Sequence, residues 1–311
     1  MALSPMKYHR FAREVLMTAT ATLANPGPTP AIVPTLRDHL SANGLREFSE
    51  GRKYRRWMRG KIGATKCATI DWYRNEAHGF HYQVMRTAMY DEIGAPGVFG
   101  PVASERYGAM LASGEAVLPF LPAAGRILDV GCATGVLTSW WAMQVPGATV
   151  TGCDNTPAAV STANQGDAHA GNVSFVVADA TLGLPDGPFS LVISTQSVVE
   201  NADELPSVLG HIASVLAPDG TYLAIEPLST LRGVRMYTEF ANDAGMVLQS
   251  LGMVPYLMFG ALQAYPVLEY RRVDGLPIAS SVDITEAYAT AYRAIFGKEP
   301  PTAPHSAGSP G

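Results

Sequence analysis

The sequence predicts an α/β protein with a doubly wound, Rossmann-like sheet of seven strands and an N-terminal helical cap. From Arg126 onward, short apolar runs alternate with stretches of helical spacing, as in a mostly parallel sheet covered by helices on both faces. Up to residue 110 the apolar residues follow helical spacing, and we identify no strand alternation there. The first 110 residues are also net basic, whereas the remainder is net acidic.

Five helices are predicted in the N-terminal region. The first (residues 7–24) is expected to end at the Asn-Pro-Gly-Pro breaker that follows it, and the second (31–45) at Asn43-Gly44. The third covers residues 47–63, the fourth lies within residues 72–94 and ends near Gly94, and the fifth covers residues 104–121.

Seven strands and four intervening helices are predicted between residues 126 and 273. The strands cover residues 126–131, 148–154, 172–179, 189–195, 220–227, 254–262 and 264–273. The intervening helices cover residues 134–144, 156–169, 203–217 and 232–252. We therefore predict a helical region at 1–110, an α/β domain at 111–275, and a C-terminal helix with a Pro/Gly/Ser-rich, disordered tail at 276–311.

Composition excludes several classes of protein. With 47% hydrophobic and 16% charged residues, the chain can bury a large core and is not globally disordered. Cys67, Cys132 and Cys153 are an odd number without metal-ligand spacing, which predicts reduced thiols and no metal site. Neither a signal peptide nor an apolar run long enough for a membrane span is evident, so we expect a cytoplasmic protein.

The sharpest local feature is the run ILDVGCATG at residues 127–135. A buried strand passes directly into a glycine-rich turn and then into a helix. Gly131 allows a sharp turn and lets a ligand approach the backbone without a Cβ in the way. Gly135 precedes a helix whose free N–H groups suit a polar or anionic ligand. Similar turns occur in other doubly wound folds, so the motif alone does not identify the ligand.

Three evenly spaced aspartates lie at the ends of predicted strands. Asp129 lies at the end of the first strand, Asp154 ends the second and Asp179 the third. Ligands of open parallel sheets bind at these strand ends. Carboxylates there suit a ligand with a positive charge, ribose hydroxyls and an adenine amine. They would repel a pyrophosphate, which disfavours a nicotinamide dinucleotide.

Between residues 115 and 275 the sequence resembles the class I S-adenosylmethionine-dependent methyltransferases. LDVGCATG is similar to their first motif, residues 150–160 to their ribose-binding strand end, and residues 176–185 to their adenine motif. The resemblance implies S-adenosylmethionine as the cofactor, held by Asp129, Gly131, Cys132, Ala133, Gly135, Asp154, Asn155, Asp179, Ala180, Gln196 and Ser197. Ala133 departs from the family pattern, because it replaces the middle glycine of the first motif and leaves the course of this loop open.

Candidate catalytic residues come from two segments. In the family, the segment after the fourth strand faces the sulfonium, which makes Glu200 a candidate base. The resemblance also implies that the N-terminal helices form a lid and a substrate pocket. His78, His81 and Tyr82 would share one helix face there, where one of them could act as a base or position a substrate. Simple packing of these side chains between helices stays open as the alternative.

The resemblance thus implies an enzyme that transfers a methyl group to a small-molecule acceptor in a biosynthetic reaction. One alternative keeps the cofactor but attacks another carbon of it, for example by cyclisation to azetidine-2-carboxylate and methylthioadenosine. A second is an RNA methyltransferase that uses a basic helix face formed by Arg52, Arg55, Arg56 and Arg59. The short patch and the acidic chain disfavour a nucleic-acid partner. The sequence leaves open whether the protein forms a homodimer.

Overall fold

The apolar runs after residue 124 form one seven-stranded sheet. The computed structural model describes residues 33–76, 82–166, 171–273 and 282–301. Its strands are β1 (Gly125–Val130), β2 (Ala148–Asp154), β3 (Val173–Val177), β4 (Phe189–Thr195), β5 (Leu216–Ile225), β6 (Met246–Met258) and β7 (Ala261–Arg272). The strand order is β3-β2-β1-β4-β5-β7-β6. The first five strands are parallel, and β7 pairs antiparallel with both β5 and β6. The predicted fold class is confirmed.

Helices of the described residues precede the sheet and connect its strands. They are α1 (Leu36–Ala42), α2 (Gly51–Ile62), α3 (Ala64–Glu76), α4 (Tyr82–Gly94), α5 (Phe99–Ala103), α6 (Tyr107–Val117), α7 (Val136–Gln144), α8 (Pro157–Asn164), α9 (Leu205–Val215), α10 (Leu231–Asp243) and α11 (Ile284–Phe296). Short 3₁₀ segments cover Ser104–Arg106, Leu118–Phe120 and Val198–Glu204. The predicted helix at 7–24 and the end of the predicted tail lie outside the described residues.

The prediction of a continuous helix over 232–252 was wrong. α10 ends at Asp243, and Gly245 takes a left-handed φ of +83° that no helix continues. Beyond it, Met246, Val247 and Leu248 are buried and pair with β7, so their burial in the sheet overrides helical spacing. The helix predicted within 72–94 is α4, which ends at Gly94 as expected.

The core lies on both faces of the sheet because successive strand residues point to opposite sides. Leu128 packs on the face covered by α9 and α10, whereas Ile127 packs on the opposite face with Trp141 of α7. Both side chains are fully buried. The strand ends are thereby held rigidly at one edge of the sheet. In the ranges that the structure describes, none of the helices is both long and apolar enough to span a membrane.

Candidate functional site

A cavity of about 720 Å³ opens at the carboxyl ends of the parallel strands, beside the neighbouring strands β1 and β4, where the strand order reverses. In doubly wound sheets this switch point is the usual ligand site. Ten of the eleven predicted cofactor residues line the cavity: Asp129, Gly131, Cys132, Ala133, Asp154, Asn155, Asp179, Ala180, Gln196 and Ser197. The eleventh, Gly135, does not line it. Its φ is +72°, and a Cβ there would lie 2.4 Å from the Phe175 ring, so its requirement comes from packing.

The turn after β1 is shaped by two left-handed residues. Gly131 has a φ of +76°, and an added Cβ would lie 2.3 Å from the Cβ of Ser197. Ala133 has a φ of +48°, so the residue that departs from the family pattern adopts a conformation that favours glycine. Its backbone N–H donates to Oδ2 of Asp154 at 2.9 Å, which helps to hold the turn despite the methyl group.

Asp154 connects two backbone segments at the end of β2. Its Oδ2 accepts the Ala133 N–H and its Oδ1 accepts the Thr156 N–H, both at 2.9 Å. Each carboxylate oxygen has two lone pairs, so the same group can still accept hydrogen bonds from ribose hydroxyls. The two backbone bonds fix the carboxylate before any ligand arrives.

Asp179 and Ala180 are fixed in a similar way beyond β3. Oδ1 of Asp179 accepts from the backbone N–H of Thr181 at 2.9 Å and from its hydroxyl at 2.7 Å. The carbonyl of Ala180 contacts Nδ1 of His211 on α9 at 2.8 Å. These contacts order the segment that the resemblance assigns to adenine.

Asp129 is the most deeply buried of the three strand-end aspartates, at 3% exposed. Thr138 Oγ1 donates to its Oδ2 at 2.5 Å. Burial raises the pKa of Asp129 to about 7, the bond from Thr138 opposes this rise, and the charge of Asp154 adds to it. A buried carboxyl with this pKa can gain or lose its proton near neutral pH, and a nearby cation would favour the charged form.

The sequence interpretation missed Glu226, which follows β5 and is fully buried. Its carboxylate accepts hydrogen bonds from the loop after β4, including the Ser197 N–H at 3.0 Å. Its position directly after a buried parallel strand is the same signal that identified the three aspartates. Ser197 also donates its hydroxyl to the Val130 carbonyl at 2.8 Å, which ties the loop to β1.

The predicted catalytic residues stay predictions. His78 and His81 lie outside the described residues. Tyr82 begins α4 and Glu200 lies in the 3₁₀ segment after β4, but the side chains of both are outside the described part of the chain. Among the residues that the structure describes, no group of three His, Cys, Asp or Glu side chains could hold a metal ion.

The cap and the antiparallel hairpin form the other wall of the cavity. Ile93 of α4, Phe99 of α5, Met110 of α6 and Tyr256 of β6 line it. These side chains are apolar or aromatic, whereas the strand-end wall carries carboxylates. The four arginines of the predicted basic face are exposed on α2 and do not line this cavity.

The fold and this cavity define an α/β domain with a carboxylate-lined site at its switch point. Residues 127–220 match the family model described as a methyltransferase domain. Trans-aconitate 2-methyltransferase of Streptomyces coelicolor is 37% identical over 111 residues, which are 33% of this chain and 35% of that protein. Release factor glutamine methyltransferase of Deinococcus radiodurans is 39% identical over 79 residues, 25% of this chain and 28% of that protein.

A solved structure, mitomycin 7-O-methyltransferase MmcR, has a TM-score of 0.50 and 15% identity, and the alignment covers 75% of each chain. It supports the fold. The chain spans between 28% and 46% of the length of the curated relatives it matches. The match of residues 127–220 and the fold support a class I S-adenosylmethionine-dependent methyltransferase, a family whose cofactor is S-adenosylmethionine.

The residues at the switch point fit this cofactor. Carboxylates of Asp154 and Asp179 can accept hydrogen bonds from ribose hydroxyls and an adenine amine, and the buried Asp129 suits a nearby positive charge. The cavity volume lies within the range of small-molecule sites, about 300–1,000 Å³.

We expect S-adenosylmethionine to bind about tenfold more tightly at pH 8 than at pH 6, because a raised pKa leaves Asp129 mostly protonated at the lower pH. A cationic ligand favours the carboxylate, so binding releases a proton below the raised pKa and affinity levels off above it. The adjacent thiols of Cys132 and Cys153 stay neutral, because burial raises the pKa of both. Calorimetry at the two pH values measures the effect. Asp129→Asn should remove this dependence, and an equally steep dependence in that variant would contradict the assignment.

Proposed function

We propose that this protein transfers the methyl group of S-adenosylmethionine to a small organic acceptor. The observation that carries the proposal is the continuity of the cavity, which runs from the strand-end carboxylates to the apolar wall of the cap. The strand-end carboxylates would hold the cofactor, and the cap side of the same cavity would remain for an acceptor. Cofactor and acceptor would then share one cavity.

The cap-side wall favours an acceptor with an apolar or aromatic body. Met89, Phe99, Met110 and Met258 supply adaptable apolar surface. Arg74 and Glu105 form an ion pair at 3.2 Å on the same wall, and Arg106 adds a further positive charge. A polar or anionic substituent on the acceptor suits this charged part of the wall.

Two of the similar proteins support a small acceptor by their names. Trans-aconitate 2-methyltransferase and demethylmenaquinone methyltransferase, the latter from Thermus thermophilus, are named for small molecules. Release factor glutamine methyltransferase is named for a protein substrate. The apolar cap wall favours the small-molecule class for this chain.

The chemistry requires alignment more than activation. Bound S-adenosylmethionine supplies a methyl group that its sulfonium already activates, so the protein mainly orients the acceptor and excludes water. Tyr256 is 6% exposed, and burial together with a side-chain hydrogen bond to Tyr265 raises its pKa, so its hydroxyl stays protonated and does not act as a base. Glu200, His78, His81 and Tyr82 are the candidate bases for an acceptor that must lose a proton.

Product analysis tests the proposal. The protein is incubated with S-adenosylmethionine alone, with a panel of small carboxylic acids, phenols and amines, and with transfer RNA. We expect S-adenosylhomocysteine and a singly methylated small molecule to form together, as detected by mass spectrometry. Methylthioadenosine from the cofactor alone would instead show cyclisation, and methyl transfer to RNA alone would show the other alternative. Either of these results, or no product, contradicts the proposal.

A matched pair of variants locates the acceptor. Met110→Trp would fill the cap side of the cavity, so turnover should fall by at least about tenfold while S-adenosylhomocysteine still binds. Met236→Trp is the control, because Met236 is 43% exposed on α10 and does not line the cavity. Unchanged turnover in Met110→Trp would place the acceptor elsewhere.

A further inference from the structure

Glu226 holds the loop after β4 through its backbone. Oε2 accepts the N–H groups of Ser197 at 3.0 Å and Val199 at 3.4 Å, and Oε1 accepts the N–H of Val198 at 3.2 Å. The preceding N–H, of Gln196, donates to the Ile225 carbonyl at 2.9 Å. Four consecutive amides of the loop therefore bind two consecutive residues at the end of β5.

The loop conformation matches this role. Gln196 has a φ of +56°, a left-handed value that is uncommon for a residue other than glycine. In some turn conformations successive N–H groups point toward one centre, where they form a concave site for an anion. In this protein the carboxylate of Glu226 occupies that concavity. The hydrogen bonds of this carboxylate stabilise the loop and so offset the unfavourable left-handed backbone at Gln196.

A buried chain of hydroxyl groups fixes the carboxylate from the opposite side. Ser194 Oγ donates to Oε1 of Glu226 at 2.6 Å, so it accepts from the Tyr222 hydroxyl, 2.8 Å away. The Tyr222 hydroxyl lies 2.5 Å from that of Tyr237. All four side chains are fully buried, and burial raises the pKa of both tyrosines, so the hydroxyls keep their protons. The network links α10, β5 and β4 to the loop.

The loop that Glu226 holds is part of the cavity wall, whereas Glu226 itself is not. Thr195, Gln196, Ser197 and Val198 line the cavity. Ser197 packs so closely against Gly131 that a Cβ on the glycine would not fit. The loop and the glycine turn after β1 therefore have complementary shapes, and displacement of one would disturb the other.

We propose that Glu226 is a positioning residue that holds residues 196–199 in the conformation needed to receive the methionine end of the cofactor. This inference rests on the proposed function, because it assigns the loop to the cofactor. Glu226 acts through the loop amides and does not touch the reacting atoms. The network through Ser194 and Tyr222 fixes the carboxylate in place, so the loop is already ordered before the ligand binds.

Hydrogen exchange measured by mass spectrometry tests this inference. Glu226→Gln replaces one accepting oxygen by an NH₂ group, which must then face donors. We expect the amides of residues 196–199 to exchange at least about tenfold faster than in the unaltered chain, and S-adenosylhomocysteine to bind about tenfold more weakly. Amides of β4 and β5 report global unfolding and serve as the internal reference. With an active acceptor, kcat should fall more than the KM for that acceptor rises.

Glu269→Gln is the matched control. Glu269 lies in β7, and its carboxylate likewise accepts a serine hydroxyl, that of Ser250 at 2.9 Å, but it does not line the cavity. Loop exchange and ligand affinity in Glu226→Gln that equal those in Glu269→Gln would overturn the inference.

A second variant tests the inference if Glu226→Gln does not fold. Ser194→Ala keeps the carboxylate of Glu226 and removes one of the hydrogen-bond donors that fix it. The same loop amides should then exchange about two- to threefold faster, and unchanged exchange would overturn the inference. If the product analysis finds no methyl transfer, hydrogen exchange and S-adenosylhomocysteine binding can still be measured, because neither requires an acceptor. The two proposals therefore fail separately.

Discussion

Asp154→Ala is expected to weaken S-adenosylhomocysteine binding by about 100-fold, because charge-assisted hydrogen bonds contribute about 1.5–3 kcal/mol each. The substitution removes the acceptor that the resemblance assigns to the ribose. It also releases the Ala133 and Thr156 amides, so the turn after β1 loses a support. Isothermal titration calorimetry measures the loss.

Asp283→Ala is the matched control for this prediction. Asp283 likewise accepts the N–H two residues further on, that of Thr285, at 2.9 Å, as the N-cap of α11. Loss of an N-cap costs about 1 kcal/mol of stability, and we expect no change in ligand affinity. Equal affinities of the two variants would show that Asp154 does not contact the ligand.

Gly131→Ala is expected to abolish cofactor binding within the measurable range. The added Cβ would lie 2.3 Å from the Cβ of Ser197, and the φ of +76° would be strained for alanine. Either the turn or the loop after β4 must move, and both line the cavity. Thermal unfolding and calorimetry together separate loss of stability from loss of binding.

Gly245→Ala is the control, because it introduces the same backbone strain without a steric clash. Gly245 has a φ of +83°, and nothing lies within 4 Å of its added Cβ. Gly245→Ala should therefore cost about 1–2 kcal/mol of stability and leave affinity unchanged. Tight binding by Gly131→Ala would contradict the close approach of the turn to the loop.

Local patterns predicted which residues meet at the strand-end side of the candidate site. A buried strand, a glycine-rich turn and a helix follow one another within residues 125–144, so their spacing is visible in a single window. The aspartates after β2 and β3 were also predictable, because parallel strands end at the same edge of a sheet. The structure brings ten of the eleven predicted cofactor residues to one cavity.

The features that the sequence patterns missed depend on which strands lie next to each other in the folded protein. Glu226 contacts Ser194 and Ser197 only because β5 lies next to β4 in the sheet. The residues from Met246 onward have helical spacing, but pairing with β7 makes them a strand. Gly135 was assigned to the cofactor by its motif, whereas its contact with Phe175 depends on the position of β3. None of these contacts is visible in a local window.

Titration of S-adenosylhomocysteine into the unaltered protein tests most directly whether the strand-end carboxylates form a cofactor site. We predict saturable heat with one ligand bound per chain, followed in a crystal of the complex by ribose contacts to Asp154 and an adenine contact near Asp179. The absence of saturable heat, or a ligand bound away from these aspartates, would contradict the assignment of this cavity.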